Sequence, residues 1–262
     1  MALPQWSVGP RSASDFLPAI IEAGYQGAQV FLPTHAAGAK AAGLADVSGI
    51  GTLRHIDEVD AVLGMWSGSV VSSLTLHLGT GFESSIEALK LVERTLTSAS
   101  QFNVRVLIET HRGTLFQDPA RTLSLIEQFP ELRFTADLSH WYTGVEMVYG
   151  DFDSKLRALR PVFERCQMIH GRISDPGCIQ VAVDGVLDPS AHVEHFRRMW
   201  RGVLDQCQVG GAESMPFVVE LLPAAAHYAR TVDRGSGPEE EVDRWTQANV
   251  LWEIFEGLET TS

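Results

Sequence analysis

The chain has 262 residues, 45% hydrophobic and 20% charged, a balance that excludes a disordered segment and suits a folded globule. Lys plus Arg number 20 against 33 Asp plus Glu; the net charge of −13 repels phosphate backbones, and without a basic run no nucleic acid is expected as a partner. Cys166, Cys178 and Cys207 are odd in number and form no CxxC pair, the N-terminal Met-Ala-Leu-Pro-Gln-Trp-Ser is not built like a signal peptide, and no apolar run approaches the roughly 20 residues of a membrane helix, so a cytoplasmic protein is expected.

Short apolar segments alternate with longer helical ones. Strands are expected near residues 5–8, 27–32, 45–50, 71–78, 104–110, 132–138, 166–172 and 216–222, the third being the weakest because Asp46, Ser48 and Gly49 interrupt it. Ser14-Asp15 precedes Leu17, Ile20 and Ile21 and suits the start of a first helix. Ser84-Ser85-Ile86-Glu87 has capping-box spacing, and Ile86, Leu89, Leu91, Val92 and Leu96 then recur at helical intervals. Pro119 opens another helix, and Phe196, Met199, Trp200 and Val203 stripe a further one. Pro238 and the three glutamates after it suit the first turn of a last helix that buries Val242, Trp245, Leu251, Trp252 and Phe255.

Strands alternating with helices imply parallel strands joined by right-handed crossovers. Eight such units predict a single (β/α)8 TIM barrel over residues 1–262; a doubly wound open sheet is the alternative, but neither GxGxxG nor GxxxxGK[ST] supports a nucleotide-binding sheet.

The last four strands each end an apolar run on an ionisable residue: Glu109, Asp137, His170 and Glu220. In a parallel barrel those ends share the rim where active sites of this fold sit. Three carboxylates crowded there cannot all stay ionised without a cation. One divalent metal resolves the repulsion, and three oxygens with one imidazole fit Mn²⁺, Mg²⁺ or Co²⁺, with Zn²⁺ also compatible. Strand alternation puts His111 on the side of Glu109 and Arg172 on the side of His170, while His140 follows Asp137 by three and His77 ends the fourth strand. His77, His111, Arg112, His140 and Arg172 are the expected substrate contacts, with Trp141 and Trp6 as aromatic covers for a sugar face. His35, His55, His192, His195 and His227 are read as surface or packing residues.

With these residues in place, the chain resembles the xylose-isomerase-like TIM-barrel superfamily, which holds sugar phosphate isomerases and epimerases, ketose 3-epimerases and the endonuclease IV branch. The resemblance runs from Gly24-Tyr-Gln-Gly27 to Glu220 and rests on Glu109, the Asp-x-x-His motif Asp137-Leu-Ser-His140, His170 and Glu220, in that order. It implies that Glu109, Asp137, His170 and Glu220 hold one divalent metal, Mn²⁺ first among the candidates, that His140 contacts a small-molecule substrate, and that the protein is a homodimer or homotetramer. Two departures stand out. The ketose 3-epimerases carry a glutamate six residues after the strand-five ligand and an arginine six after the strand-seven histidine; here these are Leu115 and Pro176. No Asp-x-His follows within residues 171–200, so the nuclease branch is not expected.

The expected chemistry is isomerisation or epimerisation of a sugar or sugar-like hydroxy-carbonyl compound, by proton transfer through a metal-stabilised enediolate with Glu109 and Glu220 as acid and base. A lyase, dehydratase or tailoring enzyme of small-metabolite biosynthesis uses the same site, and a non-catalytic metal-binding scaffold is a third reading.

Overall fold

A computed structural model describes residues 2–4, 13–211 and 214–259. Eight parallel strands close a barrel in sequence order: β1 (Ala2–Pro4), β2 (Gly27–Val30), β3 (Asp46–Leu53), β4 (Leu74–Leu78), β5 (Val106–Glu109), β6 (Phe134–Ala136), β7 (Cys166–Gly171) and β8 (Phe217–Val219). The ring closes where Ala2 of β1 pairs with Val218 of β8. Around it lie α1 (Ala13–Glu22), α2 (Pro33–Ala41), α3 (Val59–Trp66), α4 (Ser85–Gln101), α5 (Pro119–Gln128), α6 (Leu138–Gly144), α7 (Phe152–Ala158), α8 (Arg160–Phe163), α9 (Ala191–Val209) and α10 (Arg244–Glu259). The closed order excludes the open-sheet alternative. The weakly patterned third strand is eight residues long. The first strand lies at Ala2–Pro4, and the segment 5–8 with Trp6 is outside the described residues.

Local signals set the helix starts. Ser84 accepts from the Glu87 backbone while the Glu87 side chain accepts from Ser84, closing the capping box of α4. Asp118 caps α5 ahead of Pro119. The expectation at Pro238 was wrong. Residues Pro238–Glu240 form β10, which pairs antiparallel with β9 (Thr231–Asp233), and the last helix begins only at Arg244. The turn between these strands decides this: Gly235 and Gly237 take left-handed backbone angles, and the Asp233 carboxylate accepts from both their amides.

The core has two compartments. A large apolar layer between strands and helices holds Trp66, Trp200, Phe217 and Phe255, while Leu107, Met168 and Val218 form a separate cluster among the strands. Gln29, Thr75 and Thr135 are buried there too; Gln29 donates to Thr75, which hydrogen-bonds Thr135 at 2.9 Å. This inner floor fixes what stands above it. Two residues on from Leu107, Thr135, Met168 and Val218 come Glu109, Asp137, His170 and Glu220. An irregularity between β6 and β7 pairs Thr135 with Met168 and brings those two strands into step below the site.

Gly171 lies between two site residues, His170 and Arg172, where a Cβ would fall 2.3 Å from the Phe217 ring. Gly171→Ala is expected to cost about 1–3 kcal/mol by overpacking, seen as a lower urea midpoint with an unchanged m-value. An unchanged midpoint would show that the Phe217 ring yields freely.

Candidate metal centre

Glu109 is the last residue of β5, and His170 is the penultimate residue of β7. Asp137 follows β6 and caps α6; Glu220 follows β8. The four are at most 4% exposed, and one ligand atom from each lies within 4.8 Å of all the others. Four strand ends of the sequence thus meet at one point.

Their surroundings are cationic. His77 Nε2 is 2.9 Å from Glu109 Oε2. Arg172 Nη2 bonds Asp137 Oδ2 and lies 3.0 Å from Glu220 Oε2, while its Nε donates to Ser139 Oγ at 3.1 Å. His140 Nε2 is 3.4 Å from Asp137 Oδ2. Burial alone would raise the Glu109 carboxyl, but the imidazoles of His77 and His170 outweigh it and hold the group well below the usual carboxylate range. Asp137 is likewise pushed up by burial and brought down further by Arg172 and His140. Burial lowers His170, yet Glu220 and Glu109 lift it to about 10. His111 goes the other way: burial, then the neighbouring His140, bring it down to about 3, which keeps the ring neutral.

Several polar atoms here have no hydrogen-bond partner although buried: Glu109 Oε1, both ring nitrogens of His170, His140 Nδ1 and Arg172 Nη1. His170 Nδ1 lies 3.0 Å from Glu220 Oε2 without the alignment of a hydrogen bond. Nitrogen and oxygen that converge without bonding each other suit a shared cation, so the donor set fits a divalent ion.

Of the expected substrate contacts, His77, His111, His140 and Arg172 surround this group. Arg172 is 1% exposed and binds the site's own carboxylates, leaving only Nη1 unpartnered. Arg112 is exposed, its guanidinium 5.0 Å from the Tyr228 ring. Trp141 is a correction: α6 turns its indole into the apolar core, fully buried, with Nε1 donating to Phe116 O, so it offers no face to a ligand. Leu115, at the position of the missing glutamate, is also fully buried in the core. Two residues of the site were not foreseen. Ser139, inside the Asp-x-x-His motif, donates to Asp137 Oδ1; its spacing of two from Asp137 was an available signal. Tyr228, between β8 and β9, stands over Arg172 at 4.8 Å and bonds His111 Nε2 at 3.3 Å; its segment has no periodicity to reveal it.

No protein-family model and no curated protein matches the chain. Solved structures do. The probable 3-DHS dehydratase AsbF of Bacillus anthracis, involved in petrobactin synthesis, is 15% identical at a TM-score of 0.58, over 100% of this chain and 99% of that one. Endonuclease IV of Thermus thermophilus is 15% identical at 0.59, with the same shares covered. A xylose isomerase-like TIM barrel protein of Mycobacterium smegmatis, in complex with magnesium, is 11% identical at 0.57, over 97% and 91%. The chain has the fold of the xylose-isomerase-like TIM barrels. At this identity the likeness is one of fold, and the chemistry of this barrel rests on its own residues. No helix among the described residues is long and apolar enough to cross a membrane.

Proposed function

We propose that the protein is a divalent-metal-dependent enzyme that moves a proton beside a carbonyl, isomerising or epimerising a small sugar-like hydroxy-carbonyl compound. The convergence of Glu109, Asp137, His170 and Glu220 within 4.8 Å at the barrel mouth carries this reading. These four residues would hold the ion. When bound, it supplies Lewis acidity to a carbonyl and its neighbouring hydroxyl, the preference running to Mn²⁺, with Mg²⁺, Co²⁺ and Zn²⁺ compatible.

The chain's own groups do the rest. His77 holds Glu109 Oε2, which leaves the buried and unpartnered Oε1 to accept a proton. Glu220, fixed by Arg172 through Oε2, is the second carboxylate and delivers a proton taken up from solvent, while the abstracted proton leaves Glu109 to solvent. His140 Nδ1 and Arg172 Nη1, both buried without partners, orient substrate oxygens.

A lyase reading has support of its own. Leu115 and Pro176 replace the two polar partners of the ketose 3-epimerases, and one full-length structural neighbour is described as a probable dehydratase. Incubating the metal-loaded protein in D₂O with a panel of hydroxy-carbonyl compounds separates the two. Isomerisation predicts an isomeric product with solvent deuterium at the carbon beside the carbonyl, read by NMR and a one-unit mass increase. Release of water or of another leaving group, without an isomer, would overturn it in favour of the lyase.

A further inference from the structure

The period of two that carries Glu109 and Asp137 to the C-terminal mouth of the barrel carries other side chains to the N-terminal one. Arg105 stands four residues before Glu109, and Arg133 four before Asp137, each just ahead of its strand. Leu107 and Thr135 of the inner floor come between each arginine and its carboxylate. Both arginines line a cavity of about 890 Å³ at the N-terminal ends of the strands.

In a chain of net charge −13, two neighbouring arginines would ordinarily be paired with carboxylates. Among the described residues neither has an ion-pair partner. Arg105 Nε and Nη2 both donate to one neutral oxygen, Gln167 Oε1, at 3.2 and 2.8 Å. That edge of a guanidinium matches the two oxygens of a carboxylate or phosphate, and here it shares a single amide oxygen. Arg133 turns Nη1 to the backbone carbonyls of Pro130 and Leu132 at 3.0 and 2.9 Å, and its charge meets no anion. The two acids lining the same cavity are engaged elsewhere. Glu164 pairs with Arg160 at 3.1 Å and Arg165 at 3.7 Å, and Asp46 accepts from the Ser72 hydroxyl at 2.7 Å.

We propose that the N-terminal mouth of the barrel binds a small molecule through one oxyanion, a carboxylate or a phosphate monoester, gripped by Arg105 and Arg133. Gln167 is the positioning residue that holds the Arg105 fork ready. Asp46 stands on β3, two strands from Arg105, and disfavours a second anionic group there; a hydroxyl or ammonium donor at the ligand's other end suits it. The site shares no residue with the metal centre, so it stands or falls independently of the function proposed above.

The full chain, stripped of metal, is titrated calorimetrically with glycerate, with glycerol 3-phosphate and with neutral glycerol. Saturable binding of one equivalent of either anion is expected, with none of glycerol, and the tighter anion tells carboxylate from phosphate. Arg105→Gln and Arg133→Gln are each expected to weaken that binding about 10–100-fold. Their Tm without ligand should stay that of the wild type. Gln167→Glu keeps both arginines and places a carboxylate of the chain's own in the Arg105 fork; it is expected to weaken binding to a similar degree. Failure of both anions to bind saturably at about 10 mM overturns the site, as does binding that both arginine variants retain. Glycerol bound as tightly as the anions overturns the anionic class. Should an arginine variant lose Tm together with binding, Gln167→Glu decides, and an unchanged affinity there overturns the proposal.

Discussion

Glu109→Gln is expected to abolish exchange of the substrate proton with D₂O and to lower turnover by about 10³-fold, within the range for a lost general acid or base. The residue is the only member of the set with a buried carboxylate oxygen that has no hydrogen-bond partner among the described residues, and its other oxygen is pinned by His77. Glutamine preserves the shape and one oxygen but cannot take a proton. The variant also weakens a metal ligand, so exchange should be measured with the ion titrated to saturation. Loss that persists at saturation assigns the proton transfer to Glu109. Exchange restored by added metal would reduce the residue to a ligand, and the proton acceptor would then be Glu220, tested by the parallel change Glu220→Gln.

Much of this site was legible because two periods coincide. Apolar runs of four to six residues, each closed by one ionisable residue, mark strands that point their ends at a common rim, and the period of two separates inward from outward residues. Asp137, His170 and Glu220 needed no more than that. Glu109 needed the same rule, and His111 and Arg172 followed from parity. What parity does not give is the partner. Arg172 faces the right way, yet its Nη2 grips Asp137 and Glu220 and leaves only Nη1 for a substrate, because a guanidinium beside two buried carboxylates is drawn to them. Trp141 shows a second limit: one turn of helix after Asp137 rotates the indole into the core, and strand parity no longer applies. Pro238 shows a third. Proline followed by glutamates describes a helix start equally well as an edge strand, and only the two glycines of the preceding turn settle it.

The grip of Arg172 leads to the second large effect. Arg172→Met removes the guanidinium that, among the described residues, neutralises Asp137 and Glu220, and both carboxylates are at most 5% exposed at the side chain. Breaking a buried ion pair from one side costs about 3–5 kcal/mol, which for a chain of this size is a fall in Tm of roughly 6–20 °C in chelator. Adding Mn²⁺ should then raise the Tm of the variant by more than that of the wild type. In the wild type an incoming ion must take Asp137 and Glu220 from the guanidinium, whereas in the variant it meets uncompensated carboxylates. Binding to the native state stabilises it by RT ln(1 + [L]/Kd), about 2.7 kcal/mol at a hundred times Kd, so most of the loss is recoverable if the ion and the arginine share these oxygens. Equal Mn²⁺ shifts in the two proteins would show that they do not share them, and a large loss with no recovery would make Arg172 a structural cation in a site that holds no metal.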